Sequence, residues 1–250
     1  HSLRTNLKLD ANNRVTYEFG ISARYQNNFA DPSTGVRRLI PDYDRYDFGV
    51  FAISNINLNT NTYLDLGLRY DFNKIDAKKF YRTSRWEERN YNQDFSNIII
   101  EEIGNQILVN PVYNFHNVAF SVGLSHKING QHSILFNYAL AQRAPNPSEL
   151  FSEGLHHSAA RIELGDLRIE QETSNRFSGT YQIATSKLAL NIDGYINHIK
   201  DFIQIIPFGT EQTIRGAFPV WNYEQIDAML FGIDVTANYE LNKNWTINNK

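Results

Sequence analysis

The sequence contains no cysteine. A disulfide framework and a thiolate metal site are both excluded, while the compartment stays open. Long apolar runs are absent too. No stretch approaches the ~18 apolar residues of a membrane-spanning helix, and the mean hydropathy is -0.45. That excludes a helical membrane protein but not a membrane barrel, whose strands are apolar on one face only. The chain lacks a basic surplus: its net charge is -3 and its pI about 6.2. No nucleic-acid partner is expected from such a balance. There is no Gly-rich phosphate loop and no carboxylate cage at calcium spacing. No signal-peptide pattern begins at His1, the chain opens on a strand-like run, and it stops at Lys250 just inside another. Residues 1–250 are therefore expected to be one segment of a longer protein, incomplete at both ends.

What the sequence does have is alternation. Val15, Tyr17, Phe19, Ile21, Ala23 and Tyr25 fall on one side, with Arg14, Thr16, Glu18, Gly20, Ser22, Arg24 and Gln26 on the other. A strand segregates residues in this way and a helix does not. The same period recurs at Leu64, Leu66, Leu68, Tyr70 and Phe72, and at Val118, Phe120, Val122 and Leu124. Further runs are Ile134 to Leu140, Phe177 to Ile183, Leu188 to Ile196 and Met229 to Tyr239. Phe51 and Ile53 are apolar exceptions on the polar side of their run. About ten strands of roughly ten residues result, a length that crosses a bilayer when tilted.

The connections alternate as well. Short turns near residues 11, 59, 129, 185 and 243 interleave with long loops near 35, 93, 156 and 213. Outer-membrane barrels have this asymmetry, with tight turns inside and long loops outside. Asn129-Gly130 is the strongest hairpin signal. Asp31-Pro32 and Pro41 mark one long loop, Lys74 to Pro111 a second and Pro207 to Pro219 another; Ile98 to Ile100 reads as a short strand or packed plug inside the second. Tyr25, Tyr46, Tyr70, Phe72, Tyr113, Tyr138, Tyr223, Tyr239 and Trp245 gather at strand ends. They are expected to form two interface girdles, with ordinary cross-strand pairing as the alternative. Gly20, Gly49, Gly67, Gly123 and Gly232 share the polar face. In a barrel they would leave room for an internal domain.

The fold class expected is all-β: an antiparallel, up-and-down transmembrane β-barrel, or part of one. Alternation alone does not separate that from a soluble sheet. In a soluble sheet the leucines enter a core; in a membrane barrel they meet lipid and the charged face lines a wet lumen.

One stretch departs from the pattern. Arg143 ends an alternating run and is followed by Ala144-Pro145-Asn146-Pro147-Ser148-Glu149-Leu150-Phe151. Proline cannot continue a ladder, and Asn146 before Pro147 reads as an N-cap with proline at the first helical position. A helical turn over residues 147–151 follows from that. Gly165-Asp166 signals a turn, and a strand restarts near Glu172. The passage resembles a segment of the TonB-dependent receptors, the outer-membrane transporters of Gram-negative bacteria. The family pattern maps onto Arg143-Ala144-Pro145, Glu149-Leu150-Phe151, Gly165-Asp166, Ile169, Glu172 and Ser174. Asp166 stands where Asn is usual and Ile169 where Leu is usual, and prolines common near 167 and 171 are missing.

The resemblance implies a barrel of about 22 strands filled by an N-terminal plug that this chain does not show. It implies a scarce ligand such as a siderophore, haem or zinc, bound by outer loops and plug. Transport would draw on the TonB complex acting through that plug, with outer-membrane lipid around the wall. No catalytic set is expected. Ser152 with His156 or His157 would be a nucleophile and base, but nothing places an orienting acid or oxyanion hole. Asp193 and Asp201 form no evident acid–base pair. The candidate ligand-binding cluster is Glu153, His156, His157, Arg161 and Glu163, imidazoles and carboxylates suited to a metal or metal chelate as cargo. Its alternative is a solvated loop. Two other functions remain from the residues: a passive porin-like barrel, and a soluble β-sandwich that binds carbohydrate through Tyr and Trp.

Overall fold

A computed structural model of the chain describes residues 1–29 and 38–249. The loop signal at Asp31-Pro32 and the terminal Lys250 lie outside the described residues. In chain order the strands are β1 (Ser2–Asn12), β2 (Val15–Asn28), β3 (Asp42–Asn59), β4 (Thr62–Arg82), β5 (Ile99–Ile103), β6 (Gln106–Val109), β7 (Val112–Lys127), β8 (His132–Arg143), β9 (Glu153–His156), β10 (Arg161–Leu164), β11 (Glu172–Ala184), β12 (Leu188–Thr213), β13 (Gly216–Asn242) and β14 (Trp245–Asn249). Short helices α1 (Thr83–Glu88), α2 (Tyr91–Phe95) and α3 (Pro147–Phe151) lie between them. Among the described residues all fourteen strands join one sheet, which is open. Four short strands, β5, β6, β9 and β10, sit in the long loops. The other ten form an antiparallel meander, each strand beside the next.

The register sorts the two faces across nearly the whole sheet. One row runs Leu9, Tyr17, Ser54, Leu66, Val122, Tyr138, Phe177, Ile196, Phe231. Ser54 is its one non-hydrophobic member. One residue along, the row reads Lys8, Glu18, Ile53, Gly67, Ser121, Ala139, Arg176, Asn197, Leu230. The apolar face does not enter a core: Phe19 is 44%, Phe231 78% and Ile233 76% exposed. Because successive side chains alternate in direction, the two faces could exchange only by a register slip, which the rows exclude.

The short connections all lie at one end, and a polar side chain closes each. Asn12 Oδ1 accepts from the Arg14 and Val15 N–H groups at 2.8 and 2.9 Å. Asn59, Asn129 and Asn242 do the same for Asn61, Gln131 and Asn244, and Thr185 Oγ1 accepts from Leu188. Asn and Thr favour such turns because their oxygen reaches a backbone N–H two or three residues on. Asn129 also accepts from His132 N.

At the opposite end the structure corrects several expectations. Lys74 to Arg82 is not loop: β4 continues through it. Nor is Pro207 to Pro219 a loop. β12 and β13, of 26 and 27 residues, run on as one long hairpin. Pro207 is absorbed at a register shift before Gly209, and Pro219 sits opposite Thr210. A proline removes one ladder donor, which a long two-stranded ribbon tolerates. Ile99 and Ile100 do belong to a short strand, β5. Tyr25, Tyr46 and Tyr70 stand exposed on the apolar face, whereas Tyr113 and Tyr223 pack against a buried cluster and join no girdle. The polar-face glycines do not keep open space. The Phe51 ring covers Gly20, Asp71 and Arg69 crowd Gly49, and Tyr195 lies over Gly232. Phe51 sits between Arg4 and Arg69, whose guanidinium carbons lie 5.5 and 5.9 Å from its ring centre. The apolar exception is thus held by cation–π contacts.

The largest buried side chains lie at the loop end. Trp86, Tyr81, Tyr91, Phe151, Leu150 and Ile75 are almost completely enclosed. They form one cluster joining the loop over residues 83–111 and the loop over residues 144–171 to the ends of β3, β4 and β7. The wall itself has little core, and the mouth has one.

Candidate functional site

The segment after β8 is built as its residues dictate. Pro147 opens α3, and the Asn146 N–H donates to Glu149 Oε2 at 2.7 Å. This reciprocal cap satisfies a donor the helix start would leave free. Glu149 also faces Arg143. Arg143 Nη1 donates to it at 3.0 and 3.2 Å, while Nε and Nη2 hold Glu172 at 2.9 and 3.0 Å. A planar guanidinium can engage a carboxylate at two points, which fixes its orientation as well as its distance. Arg143, Glu149 and Glu172 thereby tie β8, α3 and β11 together. Glu172 reaches β12 by accepting from Ile203 N at 3.2 Å. Pro145 and Leu150 are buried beneath this arrangement.

Gly165 has a steric reason. A Cβ there would fall 2.6 Å from Glu149 O, 2.7 Å from Leu150 C and 2.8 Å from Phe151 N. Its N–H donates to Ser152 O at 2.7 Å. The chain crosses the backbone of α3 so closely that no side chain fits.

The five candidate ligand residues fall on a small hairpin. β9 and β10 pair antiparallel, and β10 lies parallel to β13 from Val220 to Asn222. The structure brings three of the five together. His156 Nδ1 stands 2.9 Å from Glu163 Oε1, and Arg161 Nε donates to the same oxygen at 2.8 Å. Arg161 also lies 4.8 Å above the Trp221 ring. Glu153 points elsewhere: its Oε2 is 3.2 Å from Lys79 Nζ, which donates to Phe151 O at 2.8 Å. That ion pair is buried. His157 occupies the exposed hairpin turn. Among the described residues no three His, Asp or Glu side chains are grouped to hold a metal ion. Ser152 Oγ is buried without a hydrogen-bond partner among the described residues, so neither histidine activates it.

Sequence reasoning missed the residues that lock the two large loops together. The Tyr91 hydroxyl donates to Asp166 Oδ1 at 3.0 Å, and accepts from Leu167 N at 3.1 Å and Arg89 Nη1 at 2.9 Å. Arg168 Nε bonds Asp94 at 2.7 Å, and its guanidinium lies 4.8 Å from the Tyr91 ring centre. Arg89 also donates to Gly165 O. Burial pushes the Tyr91 phenol up to about 12, Asp166 adds to the rise, and Arg89 opposes it. The available signal was Trp86, Tyr91 and Phe95, aromatic residues spaced along an otherwise polar loop.

Between α1, the β9–β10 hairpin and the tip of β12–β13 lies a cleft of about 270 Å³. Arg82, Arg85, Arg215 and His157 line it, with Leu155 and Ile162. Arg85 Nη2 bonds Glu211 at 2.8 Å across it.

This combination of an up-and-down wall, apolar on its exposed face, with packed loops at one end defines a membrane-barrel class. The family model described as "TonB dependent receptor-like, beta-barrel" matches residues 1–249. The chain belongs to that family, which is one of bacterial outer-membrane barrels. Among solved structures it is similar to the copper transporter OprC, at 16% identity and a TM-score of 0.68 over 98% of this chain and 36% of that one. It is also similar to the Serratia marcescens hemophore receptor HasR, solved with its hemophore HasA and heme. That match has 12% identity and a TM-score of 0.64, over 95% of this chain and 38% of that one. The ferric yersiniabactin uptake receptor FyuA from Yersinia pestis matches at 11% identity and a TM-score of 0.58, over 98% of this chain and 33% of that one. The chain thus spans about a third of the length of these structures. No curated protein matches it.

Proposed function

We propose that this chain forms part of the wall and outer mouth of a receptor that imports a scarce ligand across the outer membrane of a Gram-negative bacterium. The cargo would be a metal chelate such as a siderophore, haem or zinc complex. Energy would come from the TonB complex acting through a plug domain, and the wall would stand in outer-membrane lipid. No bond is made or broken in this reading, so the protein is a receptor and not an enzyme. The carrying observation is the nine-strand register, which leaves the apolar side of the wall exposed.

The hairpin candidates divide by role. His156, His157 and Arg161 are accessible enough to meet cargo, whereas Glu163 and Glu153 are buried and hold the hairpin in place through Arg161 and Lys79. Family membership supports this reading over a soluble sandwich. The packed core of the long loops supports a receptor over a passive porin.

The test is growth under iron, copper or zinc limitation of a host strain lacking the full-length gene. A growth defect in one of these media, restored by the gene only where TonB is functional, is expected. Restoration without TonB would overturn the active-transport reading.

A further inference from the structure

We infer that Asn129, in the turn between β7 and β8, is a site of covalent self-modification: the Gly130 backbone nitrogen attacks its side-chain amide, and the turn converts to aspartate or isoaspartate. The inference rests on the geometry of the wall and is independent of the receptor reading. Glycine after an acid or its amide is what leaves the following backbone nitrogen open to attack, because no Cβ shields it. The sequence has one Asn-Gly pair, Asn129-Gly130, and one Asp-Gly pair, Asp193-Gly194. The fold treats them oppositely. Asp193 and Gly194 lie inside β12, which is paired on both sides there, Gly194 with Gly179 of β11 and with Ile233 of β13. The Asp193 carboxylate is also held, by Thr180 Oγ1 at 2.6 Å and by Asn191 Nδ2. Neither backbone nor side chain is free to close a ring. Asn129 and Gly130 lie outside the ladder and are exposed. No hydrogen bond engages the Gly130 N–H among the described residues, and nothing stands within 4 Å of where its Cβ would be.

The turn also prepares the carbonyl. Asn129 Oδ1 accepts from Gln131 N at 2.9 Å and from His132 N at 3.0 Å. Attack on Cγ places negative charge on that same oxygen, and two preset N–H donors at such distances stabilise it. The N–Cγ bond forms and the Cγ–Nδ2 bond breaks. The amide nitrogen leaves as ammonia with the proton that Gly130 gives up, and a succinimide remains. Water then opens the ring at either carbonyl, with no change of oxidation state. Opening on one side gives aspartate, whose carboxylate still caps both N–H groups. Opening on the other gives isoaspartate, which adds one carbon to the main chain. The lengthened turn no longer fits the bonds from Ile128 N to His132 O at 2.9 Å and from Ala184 N to Gln131 O at 2.8 Å. Asn12 has the same two-donor cap, at 2.8 and 2.9 Å, but is followed by Asn13 and not by glycine.

The experiment holds the folded full-length protein in detergent near neutral pH at body temperature and samples it over weeks. Isoaspartate is read by enzymatic methyl labelling and by mass spectrometry of tryptic peptides 128–143, 188–200 and 9–14. In the folded protein the label should accumulate in peptide 128–143, with peptide 188–200 unlabelled. Unfolding in denaturant should let peptide 188–200 react as well, which separates the effect of the fold from that of the sequence. Gly130→Ala has room for its methyl and should slow the reaction at Asn129 about tenfold. Asn13→Gly should make Asn12 reactive, which a purely structural role of these turns would not. Circular dichroism unchanged from wild type shows that both variants fold. The inference is overturned by an unlabelled peptide 128–143, by equal labelling of peptide 188–200 in the folded protein, or by an unchanged rate in Gly130→Ala.

Discussion

Replacing Tyr91 by Phe removes one oxygen and should unlatch the mouth. The hydroxyl joins Asp166, Leu167 N and Arg89. The ring is fully enclosed, so its packing survives the change. A net hydrogen bond contributes about 1 kcal/mol between neutral groups and about 1.5–3 kcal/mol where one partner is charged. Two of the three partners here are charged. Asp166 keeps its bond from Arg168 N, and Arg89 keeps Gly165 O, so part of the loss is recovered. The latch should weaken by about 2–3 kcal/mol, or about 30- to 150-fold in its opening equilibrium. Hydrogen exchange on the full-length receptor reads this directly, because the Leu167 amide is protected by the lost oxygen. Peptides covering residues 86–95 and 164–170 should exchange faster by that factor, and those covering 174–184 in the wall should not. A change below about threefold at Leu167 would refute the assignment of Tyr91 as the latch.

Other changes test other parts of the molecule. Gly165→Ala forces a methyl into the α3 backbone and should cost about 1–3 kcal/mol, seen as faster proteolysis within residues 144–171 while the wall stays resistant; unaltered cleavage would contradict the crossing geometry. Lys79→Met removes the buried ammonium closest to Glu153 and should destabilise the β9–β10 hairpin by about 3–5 kcal/mol. Pairing it with Glu153→Leu should recover most of that protection, and no recovery would show that the two do not act as a pair. Ile233→Arg places a charge on the exposed apolar face and should cost about 2–4 kcal/mol on refolding into lipid vesicles, against little effect from Leu230→Arg on the other face. Equal effects would contradict the lipid-facing assignment. A tyrosine ordinarily ionises near pH 10, and Tyr91 does so at about 12 in the folded mouth. Its folded pKa is raised, so its contribution is complete below about pH 10 and is lost as pH rises through 12. Loop exchange should accelerate in that window together with phenolate absorbance, and ionisation near 10 with the loops still protected would count against the burial.

The wall was readable because its signal is local. Side-chain direction alternates at every residue, so Leu64 to Phe72 declare a strand and its two faces without reference to any partner. The turns at Asn12, Asn59, Asn129 and Asn242 are local in the same sense, as is the Asn146 cap before Pro147. Proline is a misleading signal at Pro207 and Pro219, where the register absorbs a residue that ordinarily ends a strand. The sequence signal for β4 fades at Lys74 because Ile75, Ala77, Lys79 and Tyr81 alternate with Asp76, Lys78, Phe80 and Arg82, mixing apolar and charged residues on both faces. Lys79 is buried there by an ion pair made with Glu153. The candidate cluster was legible only as a composition. His156, Arg161 and Glu163 do meet, but Glu153 is drawn away by a lysine far back in the chain.

The same contrast separates the sources of stability at the two ends of the sheet. In a globular β protein the apolar face is hidden and stabilises the fold by burial. Here the exposed apolar residues include Phe19, Phe231 and Ile233, while Trp86, Tyr91, Leu150 and Phe151 are buried in the loops. The wall is held by its ladder and by whatever apolar solvent surrounds it. The mouth is held by its own core and by latches such as Tyr91–Asp166, separated by 75 residues in sequence. Two structures with different sources of stability can change independently, and a substitution in one need not disturb the other. The wall can therefore tolerate sequence drift wherever its alternation survives. The mouth, where contacts such as Tyr91–Asp166 and Lys79–Glu153 join residues far apart in the chain, is the part where one substitution disturbs a distant segment.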